Sequence, residues 1–440
     1  MNRRNMEKLF AGLAVVLMAG CSSVGAAQAE ENTSVKSTET AAAETADTAA
    51  VSKNSSQTEN TAVNVSAAGM MSADDIFTDR DLEQTADLSS AVNYTVSDNS
   101  DITITAEGVY VISGTAENCT IIVEADSEDK VQIVLDSVSI TNTDSPAIYV
   151  KSADKVFVTT TDSVSTLKVT GAFAADGTTN TDAVIFSKDD IVINGTGTLN
   201  ISSSDNGITS KDDLKITGST LNITCTGDAL EANDSVAVAG GNITIVTDKD
   251  GIHSENDEDD TVGYVYICGG TLDITSGDDG IHGTTIVQID GGTITVNASE
   301  GIEGTYLQIN DGTIAVKASD DGINASRKSS SYTPTIEITG GDLTIEMGSG
   351  DTDAIDSNGN LYISGGNIKI TAQFAFDYDG AGQMTGGTVI VNGTQITTLT
   401  NSMMGGGMQG GFGGQQGGFG GQQGGFGGKQ GGFGGPRGGH

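Results

Sequence analysis

Asp278-Asp279-Gly280-Ile281-His282-Gly283-Thr284-Thr285-Ile286-Val287-Gln288-Ile289-Asp290-Gly291-Gly292-Thr293-Ile294-Thr295-Val296 holds every element of a pattern that repeats through the middle of this chain. An acid-Gly-Ile corner opens it. A short alternating strand follows and ends on a Gly pair, and a second alternating strand closes it. Apolar and polar residues that alternate over a few positions mark half-buried strands, and the Gly, Asp and Asn clusters between them are turn chemistry. The corner recurs as Asp228-Ala229-Leu230-Glu231, Asp250-Gly251-Ile252-His253, Glu300-Gly301-Ile302-Glu303, Asp321-Gly322-Ile323-Asn324 and Asp353-Ala354-Ile355-Asp356. Looser copies are Asn206-Gly207-Ile208-Thr209 and Asp182-Ala183-Val184-Ile185.

Successive corners lie mostly 21 to 24 residues apart, with longer steps from 250 to 279 and from 321 to 353. The extra residues, Ser254–Gly263 and Ser326–Pro334, are polar and fall at one place in the cycle. No helical period intervenes. An antiparallel sandwich gives no reason for a three-part cycle. A solenoid does, and it tolerates insertions at one corner. The expected fold is therefore all-β: a parallel β-helix with three short strands per coil of about 22 residues, right-handed by the chirality of parallel crossovers.

Outside the repeat the composition changes. Arg3, Arg4 and Lys8 precede a short apolar run, Leu9–Ala19, which is too short to span a bilayer. The run ends Leu17-Met18-Ala19-Gly20-Cys21, which resembles a bacterial lipobox. Residues 1–20 are expected to be a lipoprotein signal peptide and Cys21 the lipidated residue, placing the protein on the extracellular face of the membrane. Residues 21–75 are rich in Ala, Thr, Ser and Glu and read as a disordered stalk. Residues 76–400 form the expected β-helix. Residues 401–440 repeat Gly-Gly-Phe-Gly-Gly-Gln-Gln and read as a disordered tail.

The formal net charge is −39. Such a surface repels nucleic acid and anionic headgroups and attracts divalent cations, so membrane contact is expected only through the lipid. A monomer is expected. Trp is absent and aromatics are 5%, which weakens any broad sugar-stacking platform. With Cys21 processed, Cys119, Cys225 and Cys268 make an odd number, which argues against a disulfide framework. Cys225 continues an alternating apolar run and reads as core.

Stacked coils place equivalent residues about 4.8 Å apart, so each repeat position becomes a column. Asn206, Asp228, Asp250, Asp279, Glu300, Asp321 and Asp353 form one, and Asp205, Asp248, Asp278, Asp320 and Asp351 crowd the same corner. Adjacent carboxylates at that spacing repel by about 1 kcal/mol even in water. Oxygen-only ligands at a Gly-containing turn suit Ca²⁺. The expected ligands are Glu231, Asp248, Asp250, Asp278, Asp279, Glu300, Glu303, Asp320, Asp321, Asp351, Asp353 and Asp356. Against this, Asp also caps turns by accepting backbone N–H groups. His253 and His282 share the next column with Glu231 and Glu303. They read as exposed residues of an outer face, with a transition-metal or acid–base role as the alternative.

Asp-Gly-Ile corners, each followed by x-Ile-x-Gly-Gly and a Thr/Asn-Ile-x-Ile strand, resemble the bacterial cell-surface carbohydrate-binding β-helix proteins over roughly residues 100–396. The resemblance implies a pectate-lyase-like fold, calcium at the acid corners, and cellulose or acidic polysaccharide as ligand. Three functions stay open. One is a non-catalytic polysaccharide binder, with Tyr266, Gln288, Gln308 and Tyr362 of the second-strand outer column as candidate sugar contacts. Another is a calcium-dependent lyase, for which Lys249, then Lys211 and Lys317, are the available bases, none in a recognisable catalytic motif. The third is a surface adhesin or structural protein.

Overall fold

Each coil contributes one strand to each of three parallel ladders. The computed structural model describes residues 71–256, 258–350 and 352–402. The expected signal peptide with Cys21, the stalk up to residue 70, the tail from residue 403, and Asp351 lie outside the described residues.

The first ladder stacks Asn206–Ser210, Leu230–Ala232, Ile252–Ser254, the openings of Asp279–Ile289 and Glu300–Ile309, Ile323–Ala325 and Ile355–Ser357. The second stacks Asp213–Ile216, Ser235–Val238, Tyr264–Ile267, the closing halves of the same two long strands, Thr335–Ile338 and Asn360–Ile363. The third stacks Thr220–Thr224, Asn242–Val246, Thr271–Thr275, Thr293–Ala298, Thr313–Ala318, Asp342–Met347 and Asn367–Thr371. Register follows the repeat. Glu231 pairs with His253, His253 with His282, His282 with Glu303, and Glu303 with Asn324. Lys215, Ala237, Tyr266, Gln288, Gln308, Glu337 and Tyr362 align in the second ladder.

Inward columns make one continuous aliphatic core; Ile252, Ile281 and Ile302 are at most 1% exposed. Cys225 joins it. The same inward packing explains the small residue after each acid. A Cβ on Gly280 would lie 2.2 Å from Val296 Cγ1 and 2.6 Å from the Gly301 carbonyl oxygen. A larger residue at this position would have to displace the neighbouring coil, and Ala229 and Ala354, which stand at the equivalent position in other coils, are fully buried. At the Gly pairs the second residue is left-handed, as at Gly292 with φ 96°, which only Gly adopts without strain.

The ends are closed differently. At the C-terminal end Thr388–Val391 pairs antiparallel with Thr394–Ile396 through Asn392-Gly393, both at positive φ. This hairpin occupies the last edge of the third ladder. At the other end Val92–Thr95 pairs with Gly108–Glu117 to start the first coil.

The segment before that coil departs from expectation. Residues 71–75 belong to the folded body, not to a stalk. Helices α1 (Ala73–Ile76) and α2 (Asp79–Leu82) run across the outside of the second ladder. Met71 exchanges two hydrogen bonds of 3.0 Å with the Gln288 amide. Phe77 packs on Tyr266 and Ala237, with Met71, Ala73 and Ile76 beside it. Arg80 lies 4.5 Å over the Phe157 ring. Gln84 reaches the Thr217 carbonyl and accepts the Gly195 N–H. The Gln84 amide occupies the space a Cβ on Gly218 would need. We call residues 71–91 the strap.

Candidate functional site

The acid column is built by the coils themselves. In each of several corners one carboxylate oxygen accepts the backbone N–H of the corner residue one coil on. Asp250 N–H donates to Asp228 at 3.1 Å, Asp279 N–H to Asp250 at 2.9 Å, and Asp353 N–H to Asp321 at 3.2 Å. Asn206 takes the same role toward Asp228. Oδ1 of Asp228 and Asp250 thus holds the turn, while their Oδ2 atoms lie beside the imidazoles of His253 and His282. Asp228, Asp250 and Asp279 line an open cleft of about 530 Å³ with His253, His282 and Glu303.

Two insertions flank this cleft. Ser254–Gly263 supplies Glu255, and Ser326–Pro334 supplies Lys328, whose Nζ lies 2.9 Å from Glu303. The insertions touch where Ser330 donates to Asp260 at 2.6 Å. Sequence reasoning missed Lys328 as a cleft residue. The signal was that both insertions fall at the same corner of the cycle.

His253 and His282 are not exposed. Their side chains are 16% and 12% accessible, and the rings stack at 4.8 Å within 10° of parallel. His253 Nδ1 lies 3.0 Å from Asp228 Oδ2 and 3.5 Å from Asp250 Oδ2. Burial disfavours the charged ring, but the Asp228 hydrogen bond and charge, with Asp250 and Glu255, outweigh it and raise the His253 pKa to about 9. Burial pushes the Asp250 carboxyl up, but His282 and His253 pull it below its ordinary value. Asp279 has a raised pKa, first from burial and then from Asp250, Glu303 and Glu300. Negative charge here exceeds what the histidines cover.

The expected ligands separate into groups. Donor atoms of Asp250, Asp278 and Asp279 lie within 4.8 Å of one another, a set of oxygens that fits a hard cation. Burial, then Asp321, Asp377, Asp353 and Asp379, raise Asp356 to about 7, and burial with Asp320, Asp353 and Glu303 raises Asp321 to about 6. That second acid corner includes Asp377 and Asp379, which the repeat did not flag. Glu231 is taken up by Asn206, Thr209 and Lys211. Glu300 accepts from Asn324, and Glu303 from Lys328, Ser326 and Asn324. Asp248 and Asp320 are exposed.

The second-strand column is not an open sugar face. The strap buries Tyr266 and Gln288, and Tyr266 donates to Asp290 at 2.9 Å. Gln308 is buried and donates to Glu337 at 2.9 Å. Tyr362 is half-buried. Of the lysines, Lys249 lines the cleft, Lys211 pairs with Glu231 at 3.5 Å, and Lys317 lies on the third ladder.

These carboxyls imply a pH response. A carboxyl whose folded pKa lies above its unfolded value binds more protons folded than unfolded, so stability falls as pH rises between the two. Without divalent cations the melting temperature is expected to fall from pH 4 to pH 7 as Asp321 and Asp356 ionise. Calcium should flatten that slope. Melting curves across pH in chelator and in calcium check it, and a chelator curve that rises through this window refutes it.

Three parallel ladders around one aliphatic core, with acidic residues gathered at the corners of the first ladder, define a parallel β-helix. A family model described as "Carbohydrate-binding domain-containing protein" matches residues 98–349 and 298–404. The chain belongs to that family. A relative from Acetivibrio thermocellus with the same description is 40% identical over 124 residues, which is 27% of this chain and 43% of the relative. A solved structure described as the polysaccharide lyase-like protein from C. thermocellum, a gadolinium derivative, is 33% identical. It aligns with 49% of this chain and 96% of its own, at a TM-score of 0.47.

Proposed function

We propose that this chain is a non-catalytic, calcium-stabilised polysaccharide-binding lipoprotein, anchored through Cys21 on the outer face of the membrane and taking an acidic polysaccharide at the first-ladder cleft. The observation that carries it is the convergence of Asp250, Asp278 and Asp279 at an open cleft. Calcium takes six to eight oxygens at about 2.3–2.6 Å. Three carboxylates supply part of that shell and leave places for uronate oxygens. On a surface of net charge −39, a bridging cation is also what an anionic polymer needs.

A lyase is the second reading, because Lys249 and Lys328 line the same cleft. Proton abstraction by lysine needs a lowered pKa. Burial opposes the charged Lys328 amine, but its hydrogen bond and charge contact with Glu303, with Asp279 and Glu300, raise its pKa instead. That favours binding without cleavage.

Sedimentation with insoluble polygalacturonate tests the proposal. Retention is expected in calcium, lost in chelator, and at least about tenfold weaker in Asp278→Asn, the scale of losing a metal contact. Retention indifferent to chelator would sink the calcium bridge. Release of unsaturated uronide would establish the lyase. Labelling with radioactive palmitate, abolished by Cys21→Ser, tests the anchor, and an unlabelled wild-type chain refutes it.

A further inference from the structure

The proposed calcium site uses oxygens alone and leaves two imidazoles at the same cleft without a role. Strand register brings these rings together: His253 and His282 are consecutive in one column, and their rings stack. Both turn the same edge toward one carboxylate. His253 Nδ1 lies 3.5 Å and His282 Nδ1 3.7 Å from Asp250 Oδ2. Donor atoms of the three residues lie within 4.8 Å of one another.

The opposite ring edges are as informative. Both Nε2 atoms are buried without a hydrogen-bond partner. A buried polar atom left unbonded needs a reason. A carboxylate lies just beyond bonding range of each: Glu255 Oε2 at 3.5 Å from His253 Nε2, and Glu303 Oε2 at 3.8 Å from His282 Nε2. Each Nδ1 thus lies between two carboxylates, the shared Asp250 and one of its own, Asp228 at 3.0 Å from His253 and Asp279 at 3.3 Å from His282, and each Nε2 has a further carboxylate beyond it. Metal-binding histidines almost always have this arrangement, since a ring that ligates through one nitrogen donates its other N–H to a carboxylate.

We propose that His253, His282 and Asp250 form a site for a divalent transition metal of borderline softness, with zinc as the representative ion and Glu255 and Glu303 as the carboxylates that orient the two rings. Zinc bonds to nitrogen and oxygen of about 2.0–2.2 Å set the edge of a tetrahedral shell at roughly 3.3–3.5 Å. The two Nδ1–Oδ2 separations are at or just above that length. Two imidazoles and one carboxylate leave a fourth position facing the cleft. Imidazole is what separates this site from the calcium group: zinc, copper and nickel accept it, and calcium prefers oxygen. Asp250 belongs to both groups, so the two ions would sit on either side of one carboxylate. The inference does not depend on the calcium reading.

The chain has only three histidines, and the third, His440, is the last residue. That makes the test clean. The full chain, purified without a histidine tag and stripped with chelator, is titrated with zinc chloride in excess calcium. One binding event is expected in calorimetry. It should weaken at least a hundredfold in His253→Gln and in His282→Gln, and stay unchanged in His440→Gln. Cobalt added to the wild-type chain should give the intense visible absorption of a four-coordinate ion, a readout that needs no variant. Melting in calcium confirms that the glutamine variants remain folded.

Zinc binding of equal strength in the His253→Gln/His282→Gln double variant overturns the proposal. So does zinc binding that calcium displaces completely, because the cluster is then a set of carboxylates. A weak, six-coordinate cobalt spectrum overturns it as well. Failure of the calcium reading shows instead as polysaccharide retention indifferent to chelator, whatever zinc does.

Discussion

Asp81→Ala is expected to release the strap and to cost about 3–5 kcal/mol, the scale of removing one partner from a buried ion pair. Asp81 is fully buried; its carboxylate lies 3.3 Å from Lys155 Nζ and 3.6 Å from Lys215 Nζ. It also accepts the Thr78 N–H at 3.0 Å, closing the capping box that starts α2. Without it, among the described residues, Lys155 keeps Asp190 at 3.7 Å and Lys215 the Ile76 carbonyl of the strap. Both amines then stay beneath the strap poorly compensated, or the strap lifts and wets them. Lifting also exposes Phe77, Ala237 and Tyr266. Denaturant unfolding gives the energy, and limited proteolysis within residues 71–91 shows which outcome occurs. Unchanged stability with unchanged protection would refute the account. Burial raises the Asp81 pKa, but the Thr78 N–H and the two lysines bring it below its ordinary value. Its contribution is therefore present above the unfolded carboxyl pKa and is lost as pH falls through the folded one. Acid should loosen the strap in the wild-type chain.

Gly197→Ala should be at least as damaging. A Cβ there would lie 1.6 Å from the Thr161 carbonyl oxygen and 2.6 Å from that of Ser163. These are backbone atoms of the preceding coil, held in place because Thr198 N–H donates to Ser163 and Gly197 N–H to Thr160 Oγ1. No rotamer relieves the overlap, so two coils must part. A loss of about 4 kcal/mol or more is expected, the range reserved for core and backbone disruption. Gly177→Ala is the comparison: nothing lies within 4 Å of its Cβ position, and its φ of 63° is the single penalty. That strain costs roughly 1–2 kcal/mol. Equal stability of the two variants would show that the turn is far softer than its contacts indicate.

How much of the fold and the cleft was legible in the sequence follows from what repeats. Stacking in register converts a period into columns, so the Ile281 core column, the Lys215-to-Tyr362 column and the Glu231–His253–His282–Glu303 series are all readable from residue order alone. Alternation also placed Cys225 inside. The strap was not legible, because its contacts join residues far apart in the chain, such as Met71 and Gln288, and carry no period. Met70-Met71 and Ile76-Phe77, the first large apolar residues after a polar stretch, were its sequence trace. The burial of His253 and His282 escaped for a related reason. An outward position on a strand is exposed by default, and the flanking insertions that supply Glu255 and Lys328 are the aperiodic parts of the cycle. The use of one oxygen of Asp228, Asp250 and Asp321 to hold the turn of the next coil lies below what residue identity specifies.

The path of the strap has a mechanical side. The described chain begins at Met71 against the coil of Gln288, runs back past Tyr266 and Lys215 to Lys155, and only then enters the first coil at Val92. A pull on the chain ahead of Met71 is therefore felt first by the middle of the solenoid, not by its terminal coil. The strap must detach contact by contact before the Val92–Thr95 strand carries any load. If the protein tethers a polymer against flow, that order places a sacrificial element ahead of the coils that form the cleft.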